Sequence, residues 1–309
     1  MPLDPSVSRL LRMLHTGSTP RDLTVEERRA ALAGLMRLGQ PEAATAPTRE
    51  RTLPLPAGPL SIRLYAPERA AHNLLPGLVY FHGGGFVSGT LETHDGIASA
   101  LADAGGCRIV SVGYRLAPEH RFPAALEDAL AAVGHVAAHA AEFEIDAARL
   151  GVCGDSAGGN LAAVTVQAIA RSGGPALALQ LLICPILDYR GNTASRRELA
   201  SGYLVDQATL DHDLRYYLPA GTDAADPRIS PLRARDLSGL PPTLIHTAEF
   251  DMLRDEGQEY FERLKGLGSA VSYTCHPGMI HLFYGLSAVI PYARAAYEEI
   301  GAQIRAVLS

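Results

Sequence analysis

From residue 76 onward the chain repeats one pattern, a short and almost wholly apolar run followed by a longer stretch with helical spacing. The runs fall at 76–81 (PGLVYF), 108–113 (RIVSVG), 148–153, 177–184, 242–248 and 270–275. Helical stretches lie between most of them, as at 124–141 and 159–172, and a last one ends near Leu308. A strand that is apolar on both faces must be covered on both, and a parallel neighbour requires a long crossover. The pattern therefore predicts an α/β fold, with a mostly parallel central sheet and helices on either side. At 309 residues and 47% hydrophobic, the chain is long and apolar enough to bury one large core.

Three regions depart from the pattern. Val7, Leu10, Leu11 and Leu14 form an amphipathic stripe at i, i+3, i+4 and i+7. A second helix begins at the capping box Thr24-Val25-Glu26-Glu27 and fades at Gly39-Gln40-Pro41. Neither helix has a mainly basic polar face, so both are expected to pack on the rest of the protein rather than on a membrane surface. From residue 50 the period becomes two: Leu60, Ile62 and Leu64 alternate after a Gly-Pro turn, which predicts a hairpin. Residues 189–232 contain no clear strand and read as an insertion above the sheet.

Charge and cysteine usage exclude several function classes. Lys and Arg number 27 against 33 Asp and Glu, a formal charge of −6, which disfavours binding to a nucleic-acid backbone. The four cysteines, at 107, 153, 184 and 275, form no CxxC pair, and two lie in strand-like runs. That predicts buried, reduced thiols and a cytoplasmic protein. The N-terminal stretch lacks the apolar core of a signal peptide, and no run of 18 apolar residues predicts a membrane span.

Chemistry concentrates where strands end. In "GDSAGGN", Ser156 follows the strand at 148–153 and precedes a helix that stops at Gly173-Gly174. A G-x-S-x-G turn lifts its serine on a sharp bend, and the next amide, that of Ala157, opens a helix N-terminus. The motif is weak alone, but "FHGGGF" (81–86) directly follows the strand at 76–81. Consecutive glycines leave backbone N–H groups uncovered, as an oxyanion hole requires. A phosphate loop is disfavoured because no GK[ST] follows.

A serine nucleophile needs a base, and the base an orienting acid, in the order Ser, acid, His. Asp251 sits at the end of the strand at 242–248 and is preferred to Glu249, which lies in the strand's tail. Asp255 and Glu256 read as solvated charges of a first helical turn. His281, in a loop, is preferred to His276, which ends a strand before a Pro-Gly turn. His135 and His139 are spaced i, i+4 but lack a third ligand nearby, so no metal site is expected. Asp155 is too close in sequence to orient the base and reads as a brace for the turn.

Taken together, "YFHGGGFVSGT", "YRLAPEHRFPAALED", "GDSAGGNLA", "DPRISPL", "DMLRDEG" and "MIHLF" resemble the hormone-sensitive-lipase-like branch of the α/β-hydrolase esterases. They stand in the family's order across about residues 50–285. The resemblance implies a serine carboxylesterase acting on short- to medium-chain esters, with no cofactor. An amidase or deacetylase is the alternative, then a non-catalytic receptor that would lack the histidine. It implies Ser156, Asp251 and His281 as the triad, and the amides of Gly83, Gly84 and Ala157 as the oxyanion hole. It implies a single domain over 1–309, with a cap from about 1–45 and about 189–225. It also implies a homodimer through the last strand and helix, near 270–275 and 291–308. Phe86, Leu204, Leu282 and Phe283 are the side chains expected along the substrate pocket. Leu282 stands where the family usually has glycine. Its side chain predicts an ordinary φ and a place beside the leaving alcohol.

Overall fold

The computed structural model describes residues 2–14, 23–39, 48–68 and 74–309. The strands are β1 (Thr48–Leu55), β2 (Gly58–Tyr65), β3 (Leu75–Phe81), β4 (Arg108–Val112), β5 (Ile145–Asp155), β6 (Leu179–Ile183), β7 (Thr243–Phe250) and β8 (Val271–Ile280). They form one sheet of eight strands in the order β1-β2-β4-β3-β5-β6-β7-β8. The first two pairings, β1 with β2 and β2 with β4, are antiparallel, and all the others are parallel. The expected hairpin is the β1–β2 pair.

The helices are α1 (Pro5–Leu14), α2 (Val25–Gly39), α3 (Asp95–Gly105), α4 (Ala124–Ala138), α5 (Ala157–Ser172), α6 (Ala194–Glu198), α7 (Gln207–Tyr217), α8 (Arg254–Gly266) and α9 (Tyr292–Leu308). Because successive strand residues point to opposite faces, the sheet sorts its own core. Val79, Phe81, Val110, Val152, Leu182 and Ile245 meet α4, α5 and α8 on one face. Leu78, Tyr80, Ile109, Cys153, Leu181 and Leu244 meet α1, α2, α3 and α9 on the other. The sheet is thus covered on both sides, as the apolar runs require.

Thr24 caps α2 as its sequence predicts: the Glu27 amide donates to Thr24 Oγ1, and the Thr24 amide and hydroxyl donate to the Glu27 carboxylate. The helix ends at Gly39, and the Gln40-Pro41 part of its stop lies outside the described residues. Residues 189–232 hold α6, α7 and a 3₁₀ turn, and no strand. The main difference from expectation is β8, which runs through His276-Pro277-Gly278 instead of stopping at 275. Its place at the sheet edge explains this, since an edge proline need not break a ladder bond. Gly278, at φ +72°, sits where the pairing with β7 shifts. Among the described residues no helix is long and apolar enough to cross a membrane.

Candidate active site

Four loops at the carboxyl ends of β3, β5, β7 and β8 build one site. The first is the turn from β5 to α5. Ser156 sits there at φ +54°, ψ −118°, a backbone that side chains rarely adopt and that surrounding contacts must hold. Its amide donates to the Ile183 carbonyl at 2.9 Å, and its carbonyl accepts from the amides of Asn160 and Ile186. The glycines of the motif answer to close approach. A Cβ on Gly158 would lie 2.0 Å from the Phe81 carbonyl oxygen, so any larger residue would drive α5 off β3.

Asp251 follows β7 directly, and His281 follows β8. His281 Nδ1 lies 2.7 Å from Asp251 Oδ2, and Nε2 lies 2.9 Å from Ser156 Oγ. The Leu253 amide donates to the other carboxylate oxygen at 3.0 Å, which fixes the acid's rotation. Both Asp251 and His281 are buried. Burial lowers the affinity of the imidazole for a proton, but the charge and hydrogen bond of Asp251 outweigh it, and His281 is raised above its ordinary value near 6.5. The neighbouring candidates serve elsewhere. Glu249 accepts from the Gly278 amide and steadies the edge strand. His276 lies 3.1 Å from His246, and burial pushes it down to about 4.

The glycine loop after β3 corrects one expectation. The Gly83 amide is not free: it donates to Asp155 Oδ1 at 3.0 Å, alongside the Tyr80 hydroxyl. Among the described residues no hydrogen bond engages the amides of Gly84, Gly85 or Ala157. The available donors are therefore shifted by one residue from the expected set. Asp155, fully buried, braces the turn by tying it to the glycine loop. Gly84 needs its residue type, since its φ is +118° and a Cβ there would meet the Ser88 carbonyl oxygen at 2.2 Å.

Three pocket candidates are core residues instead. Phe86 is 1% exposed and stacks face to face on Tyr217 with ring centroids 4.0 Å apart. Phe283 is packed against His276, Tyr284 and Tyr292. Leu282 is 6% exposed within the cluster under α3 and α9. It also has φ +65°, not the ordinary value expected, because the chain must turn sharply between the end of β8 and the 3₁₀ turn Phe283–Leu286. Leu204 is half-buried at φ +79° in the loop before α7.

Asp255 and Glu256 are not free surface charges: Asp255 is half-buried and Glu256 wholly buried. Glu256 is fully buried, binds Arg196 Nε at 2.7 Å and accepts the amides of Leu187 and Asp188. Burial pushes it up to about 7 against those partners. Asp255 accepts the Ser195 amide, and the Ser195 hydroxyl donates to the Met252 carbonyl. Helix α6 is thereby clamped to the turn that carries Asp251. Sequence reasoning missed this because Arg196 and Glu256 are separated by 60 residues. His135 and His139 stack on each other at 4.3 Å, with the His139 ring bonded to the His135 carbonyl.

A family profile described as the α/β hydrolase fold matches residues 78–285. The chain is 42% identical to carboxylesterase NlhH of Mycobacterium tuberculosis over 77% of its own length and 75% of that protein. It is 39% identical to an ethyl acetate hydrolase of Pseudomonas putida, over 76% of this chain and 74% of the relative. In structure it is similar to an ester hydrolase from the metagenome of Lake Arreo, solved with a bipyridine phosphonate derivative. The TM-score is 0.94 at 40% identity, with 98% of each chain covered.

Proposed function

We infer the roles of individual residues from the premise that this chain belongs to the hormone-sensitive-lipase-like α/β hydrolases and is a carboxylic ester hydrolase. Ser156 is the nucleophile. His281 Nε2 takes the hydroxyl proton as Oγ attacks the ester carbonyl, and Asp251 stabilises the imidazolium that forms. The amides of Gly84, Gly85 and Ala157 receive the developing oxyanion. His281 then returns its proton to the leaving alcohol, and water, activated by the same imidazole, releases the acyl group from Ser156. The observation that carries this reading is the unbroken chain Asp251–His281–Ser156, with contacts of 2.7 and 2.9 Å.

The substrates in this reading are esters of short- to medium-chain acids, in line with the relative named for ethyl acetate hydrolysis. The cap comprises α1, α2 and about 189–225. Its two parts are joined by Arg28 with Asp213 at 3.0 Å and by His212 Nε2 with the Leu23 carbonyl at 2.8 Å. Asp213 stands against Gly85, so the cap touches the oxyanion loop itself. Pairing of two copies through the edge strand β8 and α9 is the proposed assembly, because an open sheet edge is a template for another strand. The cytoplasm is the proposed location, as a compartment that keeps four unpaired cysteines reduced.

A series of p-nitrophenyl esters of rising acyl length, with the p-nitroanilide of the best acid beside it, tests the proposal. Turnover is expected to peak among the shorter acids, with the anilide left intact. Faster cleavage of the anilide would reassign the chain as an amidase.

A further inference from the structure

Beside the triad lies a group that the reaction does not use. Cys184 directly follows β6, at φ +43°, and its amide donates to the His246 carbonyl at 2.7 Å. Its thiol hydrogen-bonds the Asp251 carboxylate. Its thiol is buried at 1% exposure, and its sulfur, an Asp251 carboxylate oxygen and a His281 ring nitrogen all lie within 4.8 Å of one another. One sulfur, one oxygen and one nitrogen is a donor set that Zn²⁺ accepts, with bonds of about 2.0–2.3 Å. Tetrahedral ligands at those lengths stand about 3.3–3.7 Å apart, so shifts of about an ångström or less would seat the ion.

We propose that Cys184, Asp251 and His281 form a binding site for a thiophilic divalent cation such as Zn²⁺, and that occupation switches the triad off. The nitrogen facing the carboxylate is Nδ1, and Nε2 faces Ser156. An ion bound at Nδ1 needs that nitrogen's lone pair, so the ring proton moves from Nδ1 to Nε2. The thiol loses its proton to solvent. Nothing is oxidised or reduced, and one proton is released per ion. With Nε2 protonated, Ser156 has no base to receive its own proton. Because all three ligands are buried, inhibition develops with time after mixing.

The consequence for turnover rests on the triad assigned above, but binding itself does not. Titration of the intact protein with Co²⁺ reads binding directly, through a thiolate-to-cobalt charge-transfer band that Zn²⁺ abolishes by competition. The band is expected in the wild type, in S156A and in C275A, which removes the half-exposed thiol. It is expected to vanish in C184A and C184S. In the wild type and the Cys184 and Cys275 variants the rate with Zn²⁺ is divided by the rate without it, and the inhibition constant of both Cys184 variants should rise at least about tenfold. A band that survives in C184A and C184S, or that disappears in C275A, overturns the site. So does an unchanged inhibition constant in both Cys184 variants. Cobalt binding in S156A without any Zn²⁺ effect on wild-type turnover would uphold the ion and refute the switch.

Discussion

Two histidines lie five residues apart at the end of the last strand, and they have opposite fates. His276 is 1% exposed and His281 is 3% exposed, so burial hardly separates them. Their partners do. His276 faces His246 and the Tyr292 hydroxyl, neither of which supplies a negative charge, and burial lowers it to about 4. His281 faces Asp251 at 2.7 Å, which more than offsets the same penalty. A buried imidazole is thus inert or a base according to whether a carboxylate has been placed on its far nitrogen. The backbone makes the other half of the difference. His276 is still paired in the ladder opposite Ala248, whereas His281 lies one residue beyond β8.

The largest expected effects come from removing the base or what it serves. Ser156→Ala and His281→Ala should each lower kcat by about 10⁶, and Asp251→Asn by about 10⁴, since the amide holds the wrong tautomer. His276→Ala should leave kcat/KM within a few-fold of wild type. Steady-state kinetics on one p-nitrophenyl ester measures all four. A dead His276→Ala with a native melting curve, beside an active His281→Ala, would reverse the comparison.

The pH profile sharpens it. In the proposed mechanism only neutral His281 accepts the serine proton, and its proton affinity is raised. The acid limb of kcat/KM should therefore fall at a pH above about 6.5. The residual activity of Asp251→Asn should show that limb displaced to lower pH, because the charge that raised it is gone. An unmoved limb would mean that Asp251 does not set it.

His276 governs stability in the opposite sense. The unfolded chain's histidine takes its proton near ~6.5, whereas the folded one resists protonation down to about 4. Between those values the unfolded state binds more protons, so stability is full above about 6.5 and falls as pH drops toward 4. His82 and His246, pushed by burial down to about 3, and His94, down to about 4, add to the same slope. Urea unfolding of His276→Ala at several pH values should show a shallower acid slope. Near neutrality it should cost about 1–3 kcal/mol, for lost packing and for His246 Nδ1 left without its partner.

What could be read without coordinates follows the same division. The Ser156 turn and the glycine loop were legible because their chemistry is local, written in consecutive residues at strand ends. Asp251 is preferred to Glu249 as the residue at its strand's end and His281 to His276 as the one in the loop beyond, and the family resemblance implies both. Three things were not legible. Which glycine amide is free depends on Asp155, 72 residues from Gly83. Glu256 reads as a surface charge until Arg196 is brought to it. The backbone angle of Leu282 is set by where the turn has to go and not by the residue that occupies it.

That last point yields the smallest effect and the most direct test of the backbone's share in separating the two histidines. At φ +65°, leucine carries a strain of about 1–2 kcal/mol that glycine does not. Against this stands the side chain's burial, and truncating a buried leucine typically costs about 2–5 kcal/mol. Burial is the larger, so Leu282→Gly should still lower stability, by about 1–3 kcal/mol after the strain is relieved. Leu282→Ala loses the same packing but keeps the strain, and should be the worse of the two by about 1 kcal/mol. In an ordinary helix or strand position the order is reversed, with glycine below alanine by about 0.5–1 kcal/mol. Urea unfolding of the two variants therefore reads the sign of φ at this turn. Alanine above glycine would show that the residue after His281 does not sit in the left-handed region, and that the turn carrying His281 out of the strand is built some other way.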